Sequence, residues 1–213
     1  RLFSPRLSQD DKSCPHHRGS RKFRHCKSKS RPRSGRIPPQ KIRLMRNFIC
    51  NGEKYACDKG YVYLPIKRMP ELPRVINIDG NNLTLKSSFH VSLICIKDLI
   101  PKYQRENLEE EIIKSFCEFV SENDISFVKF TGEFRLARFQ ERKAIVARCE
   151  VSNLENLSRH LSEKLSIEIP MQPTHVTLYT LQPDLGVGLN SFEELESKSE
   201  TINAPVEIRN ILN

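Results

Sequence analysis

Thr174-His175-Val176-Thr177-Leu178 repeats in kind the stretch Phe89-His90-Val91-Ser92-Leu93, with His175 following His90 by 85 residues. Each stretch reads apolar or small residue, His, Val, hydroxyl, Leu. The alternation predicts a β-strand in each, and successive side chains of a strand point to opposite faces. His90 therefore shares a face with Ser92, and His175 with Thr177. Val91 and Leu93, like Val176 and Leu178, supply the other face to a core. Each copy then offers one imidazole and one hydroxyl to a cleft. Either stretch alone reads as well as a structural histidine; the doubling is what points to chemistry. Two imidazoles that titrate near neutrality suit in-line displacement at phosphorus, one taking a proton from the attacking oxygen while the other gives one to the leaving oxygen. The hydroxyls would bind the non-bridging oxygens.

The paired His-x-Ser/Thr-x strands resemble the 2H phosphoesterase superfamily, the cyclic phosphodiesterase and RNA-ligase-associated phosphoesterase fold, over about Tyr61 to Ser197. The order of intervening segments, helix, strands, helix, strand, is similar too. The resemblance implies an α+β bilobal fold: two antiparallel-rich sheets with flanking helices in pseudo-twofold arrangement, one motif per lobe. It implies a hydrolase that opens 2′,3′-cyclic phosphates or 2′–5′ phosphoester links on RNA ends, oligonucleotides or small cyclic nucleotides, without a metal or other cofactor. By position, His90 and His175 are the implied acid–base pair, with the base placed on His175 and the acid on His90, and Ser92 and Thr177 are the implied phosphate ligands. Ser92 stands where Thr is frequent in the family, a change that keeps the donor. Tyr179, two residues past Thr177, is expected on the face of His175, where it would stack on a nucleobase.

The net charge of +9 conceals two regions. Residues 1–47 hold 15 Lys/Arg against 2 Asp, which leaves 20 Lys/Arg against 24 acids in residues 48–213. The first stretch, rich in Arg, Lys, Ser and Pro, lacks the apolar periodicity that offsets the entropy of ordering, and reads as a disordered basic extension. Residues 48–213 read as the phosphoesterase-like domain. Such an arm would bind RNA phosphates by counterion release, or be an incidental extension, since Met45 marks the change in composition and offers an alternative start. Seven cysteines, an odd number without regular spacing, fit a reducing cytoplasm better than a disulfide framework. Cys14, His16, His17, His25 and Cys26 match no standard zinc spacing, and neither do Cys50 and Cys57. With no apolar run of membrane length and no signal-peptide stretch, the chain reads as a soluble cytoplasmic monomer.

Outward from the two motifs, Tyr61–Ile66 predicts a strand and Val75–Ile78 with Leu83–Leu85 a hairpin around Asp79-Gly80-Asn81-Asn82. Pro101 is expected to open a helical region with Leu108, Ile112, Ile113, Phe116, Phe119 and Val120 on one face, and Cys117 in the core. Phe127–Phe139 and Ala144–Val151 predict a second hairpin through Gln140–Lys143, with Gly132 as a bulge. Ser152 with Glu155 suggests a capping box before Leu154, Leu157, Leu161 and Leu165, leaving His160 at the surface. Pro170 and Pro173 end that helix before the His175 strand. The loop Gly186–Ser191 then feeds another capping box, Ser191 with Glu194, and at eleven residues past His175 it is near enough to reach the cleft rim. Arg135 and Arg138 lie on opposite faces of their strand, so that at most one faces the cleft.

Two other classes compete. A non-catalytic RNA- or nucleotide-binding module would keep the cleft without turnover, and a zinc-binding adaptor would use the Cys/His tail.

Overall fold

The computed structural model describes residues 46–50 and 52–212. The chain divides into two units, Arg1–Pro39 and Gln40–Asn213, and the described residues all belong to the second. The basic extension and its Cys/His cluster fall, up to residue 45, outside the described residues. The described fold includes the last two residues of the stretch assigned to that extension, because Arg46 and Asn47 belong to the first strand.

The strands are β1 (Arg46–Cys50), β2 (Glu53–Asp58), β3 (Tyr61–Pro65), β4 (Val75–Ile78), β5 (Asn81–Leu85), β6 (His90–Cys95), β7 (Phe127–Phe139), β8 (Arg142–Val151), β9 (His175–Thr180) and β10 (Ser199–Ile202). The helices are α1 (Ile96–Tyr103), α2 (Leu108–Glu122), α3 (Leu154–Leu165), α4 (Phe192–Lys198) and α5 (Val206–Leu212). The result is a mixed α/β architecture in which an open antiparallel sheet runs β1-β2-β3-β6-β9-β8-β7-β10, with the β4–β5 hairpin attached to β9. Where the sequence led us to expect two sheets, the strands join into one, because β6 and β9 pair with each other at Val91 and Val176.

The two motif strands carry the same burial pattern residue for residue: the His and the hydroxyl half-buried, the Val between them buried, and the last three positions buried. Val91, Leu93, Val176 and Leu178 are all in the core, as alternation requires. Each strand also slips register at its motif Leu. Tyr63 pairs with Ser92 and Val62 with Ile94, skipping Leu93; Val146 pairs with Thr177 and Ile145 with Tyr179, skipping Leu178. An extra residue on one strand bends it and re-aims the side chains beyond, so each motif strand changes facing just after its hydroxyl.

Both hairpins form where turn chemistry places them. Asp79 and Gly80 take φ of 50° and 73°, the left-handed pair that a two-residue hairpin turn needs. Gln140 turns β7 into β8, and Gly132 sits at φ 80° in the register shift between Phe130 and Phe134.

The helices cover the sheet with the predicted stripes. Leu108, Ile112, Phe116, Phe119 and Val120 are buried from α2, and Leu154, Leu157, Leu161 and Leu165 from α3. Phe116 meets Tyr55 edge to face at 4.8 Å and Phe48 at 5.9 Å, tying α2 to β1 and β2.

Four local expectations are corrected. Pro101 lies inside α1 rather than opening a helix; it is near the end of a short helix, where one lost backbone hydrogen bond is tolerable, and the apolar stripe starts separately at Leu108. Ser152 does not cap α3: its hydroxyl donates to the Asp124 carbonyl at 3.0 Å and accepts from Ser126 N–H at 2.8 Å, and Asn153, at φ 55°, is the N-cap. His160 is not a free surface residue, because its ring packs 5.3 Å from that of Phe119. Cys117 is partly buried against the core and is bonded to Cys50, with Cα atoms 5.2 Å apart, while Cys57, Cys95 and Cys149 remain buried thiols. Among the described residues no helix is long and apolar enough to cross a membrane.

Candidate active site

The pairing of Val91 with Val176 sets the site. Continuing that antiparallel register by one residue each way puts His90 across from Thr177 and Ser92 across from His175. All four half-buried side chains line one cavity of about 750 Å³. Both imidazoles and both hydroxyls thus share the cleft that strand alternation predicts for them, and the fold crosses them so that each imidazole neighbours the other strand's hydroxyl.

His175 is held firmly. Its Nδ1 lies 2.6 Å from the Pro173 carbonyl oxygen; a carbonyl only accepts, so Nδ1 carries the proton and Nε2 keeps its lone pair. Pro173 thus ends the preceding segment and also fixes the tautomer. His90 lies against Tyr63, ring centroids 4.5 Å apart, and Tyr63 is the cross-strand partner of Ser92.

Both rings favour the neutral form. Burial, aided by Lys86 and then by His175, pushes His90 down to about 4, with Asp58 opposing. Burial also lowers His175; the Pro173 carbonyl opposes this and Arg148 adds to it. Taking an imidazolium out of water is costly, and neighbouring cations raise that cost. An anion entering the cleft acts in the other direction on both rings.

The cavity wall holds a cation set that the sequence reading missed. Lys59, Lys86, Lys97 and Arg142 line it against two carboxylates, Asp58 and Asp184. Lys86 and Asp184 lie 3.9 Å apart, whereas Lys97 rests over the Tyr61 ring at 4.6 Å. These cations come from the turn after β2, the residue following β5, the start of α1 and the start of β8, so no local pattern announces them. Gly60 explains how two of them approach. At φ 79° its backbone is left-handed, and an added Cβ would meet Lys97 Cβ at 2.7 Å, while its carbonyl accepts from Lys97 N–H at 3.0 Å.

The loop before α4 reaches the cleft. Gly186 and Gly188 line it, and Asn190 accepts from the Tyr61 hydroxyl at 2.9 Å and donates to Asp98 at 2.9 Å. The Ser191 cap forms, its Oγ accepting from Glu194 N–H, while the Glu194 carboxylate reaches one residue past the N-cap and accepts from Asn190 N–H at 2.7 Å.

Tyr179 and the two arginines do not join the site. Tyr179 is fully buried and donates its hydroxyl to Pro73 O at 2.9 Å. The register slip at Leu178 turns it inward, so it offers no face to a base. Arg135 is buried in pairs with Glu133 and Glu196, and Arg138 binds Asp79 and Glu200. Arg142, at the start of β8, is the cleft arginine instead. Among the described residues no three His, Cys, Asp or Glu side chains converge as metal ligands.

Comparison with family models, with curated proteins and with solved structures finds no match.

Proposed function

We propose that the chain is a phosphodiesterase of the 2H type, acting on 2′,3′-cyclic phosphates or 2′–5′ phosphoester links of RNA ends or nucleotides by two-histidine acid–base catalysis, on a bilobal fold whose lobes meet at Val91 and Val176. The observation that carries this reading is the crossed set His90, Ser92, His175 and Thr177 facing one cation-lined cavity. Residues 48–213 are net acidic, yet the cavity wall carries more Lys and Arg than acid, which suits an anionic substrate.

In the proposed step Nε2 of neutral His175 takes a proton from water, and the water oxygen bonds to phosphorus. The bond from phosphorus to one ribose oxygen breaks in line, and protonated His90 gives its proton to that oxygen. Ser92 and Thr177 donate to the non-bridging oxygens. His90 takes that proton from solvent when the substrate binds, since an anion beside a neutral imidazole raises its affinity for a proton. The nearly symmetric strands allow the two roles to exchange.

A nucleotide-binding module without turnover is the second reading, and it is favoured by the burial of both rings, which lowers their affinity for a proton in the protein by itself. Purified protein assayed against nucleoside 2′,3′-cyclic phosphates and cyclic-phosphate-ended RNA separates the two. Turnover that is lost on changing either His, with affinity kept, supports the enzyme; binding without turnover in the wild type, weakened on changing either His, supports the module.

A further inference from the structure

A second cavity, of about 500 Å³, opens beside the His175 end of the cleft. Its walls include Arg148, which pairs with His175 across β8 and β9, Gln172, three residues before His175, and Phe192, two residues past the cleft residue Asn190. The two cavities are therefore neighbours around one strand end.

Its chemistry is unlike that of the cation-lined cleft. Met171 and Phe192, 40% and 45% exposed, are two of the large apolar side chains that the described fold leaves uncovered, and both line this cavity. Gln172 is 4% exposed, and its Oε1 is buried without any hydrogen-bond donor. A buried acceptor left unmade is costly, and Gln172 lines this cavity. Arg148 is anchored through Nη1 to the Thr174 carbonyl at 2.9 Å, which holds the guanidinium plane in the wall. The wall also holds the Glu150 and Glu155 carboxylates, which accept from an amino group and disfavour an anion. A flat group with an apolar face, an edge that donates and accepts, and no charge of its own fits this lining: a nucleobase. Exposed aromatic rings beside a phosphate site take bases by stacking, with little regard to sequence.

We infer that this cavity is a subsite for the nucleobase of the nucleotide that precedes the one bearing the reacting phosphate, stacked on Phe192 and bonded through its edge to Gln172. The inference rests on the phosphodiesterase reading of the cleft and deepens it: the substrate is an oligonucleotide end rather than a mononucleotide.

The test uses two probes, adenosine 2′,3′-cyclic phosphate and a diadenylate ending in the same cyclic phosphate, with the full chain as wild type, Phe192→Ala, Gln172→Leu and His90→Ala. Wild type should show a lower KM for the diadenylate. Phe192→Ala should raise that KM roughly tenfold, as loss of one base–aromatic stack does, while leaving kcat/KM for the mononucleotide unchanged. Gln172→Leu, close in shape, should act in the same direction. Direct titration of His90→Ala with the diadenylate reads the subsite without turnover. Equal KM values for the two probes, or a diadenylate KM indifferent to Phe192→Ala in a variant that melts like wild type, overturns the subsite. Absence of wild-type turnover on both probes overturns the phosphodiesterase reading instead, and the titration of His90→Ala against the double variant with Phe192→Ala then decides the subsite alone: weaker binding in the double variant supports it, equal binding overturns it.

Discussion

Val91 and Val176 face each other across β6 and β9, so that each catalytic candidate lies opposite the hydroxyl of the other strand. This pairing makes the two sequence repeats one site. If His90 and His175 act as a unit through it, His90→Ala and His175→Ala should each cost nearly as much activity as the double change, because groups that work together are strongly non-additive on removal. Ser92→Ala and Thr177→Ala, each deleting one phosphate contact, should cost far less. Steady-state kinetics on a cyclic nucleotide measures all five variants; additive losses would sink the pairing.

The pH profile follows from the depressed imidazoles. In kcat/KM, which reports the free enzyme, the requirement for one charged and one neutral ring puts the optimum on the acid side of neutrality, since both rings titrate below the ordinary value of 6.5. Bound substrate anion raises both, so the kcat optimum should lie at higher pH than that of kcat/KM. Coincident optima would contradict the electrostatics of the cleft.

Stability should carry the same signature. His90 titrates at about 4 folded and 6.5 unfolded, so between those values the unfolded chain binds more protons. Stability then rises with pH through that window, is fully present above 6.5 and is lost as pH falls toward 4. Urea titrations at several pH values should show a smaller dependence on pH in His90→Gln than in wild type.

The bond between Cys50 and Cys117 closes a loop across 67 residues, and tethers β1, whose Asn47 lines the cleft, to α2. On the chain-entropy account such a link contributes about 4 kcal/mol. Thermal melts with and without reductant should differ accordingly, and the Cys50→Ser, Cys117→Ser double variant should be indifferent to reductant.

Much of this was legible in the sequence because it is local. Alternation gave the faces of His90, Ser92, His175 and Thr177; the apolar stripes gave α2 and α3; Asp79-Gly80 gave its turn. The features that escaped depend on distant partners. Tyr179 fails as a stacking residue because a register slip at Leu178, set by pairing with β8, breaks the parity that strict alternation assumes. Lys59, Lys97 and Arg142 converge only after the sheet is assembled. Ser152 matches a capping pattern, but Asp124 and Ser126, brought alongside by β7, claim its hydroxyl first. Cys50 and Cys117 meet only because Phe48, Tyr55 and Phe116 pack α2 onto β1 and β2.

The most direct measurement is the turnover of RNA ending in a 2′,3′-cyclic phosphate by wild type, His90→Ala and His175→Ala, each first shown to be folded by its thermal melt. The account predicts opening of the cyclic phosphate by wild type and loss of at least about a hundredfold in rate in both variants, the scale of a lost general acid or base. Wild-type turnover in either folded variant would contradict it and return both motifs to a structural role.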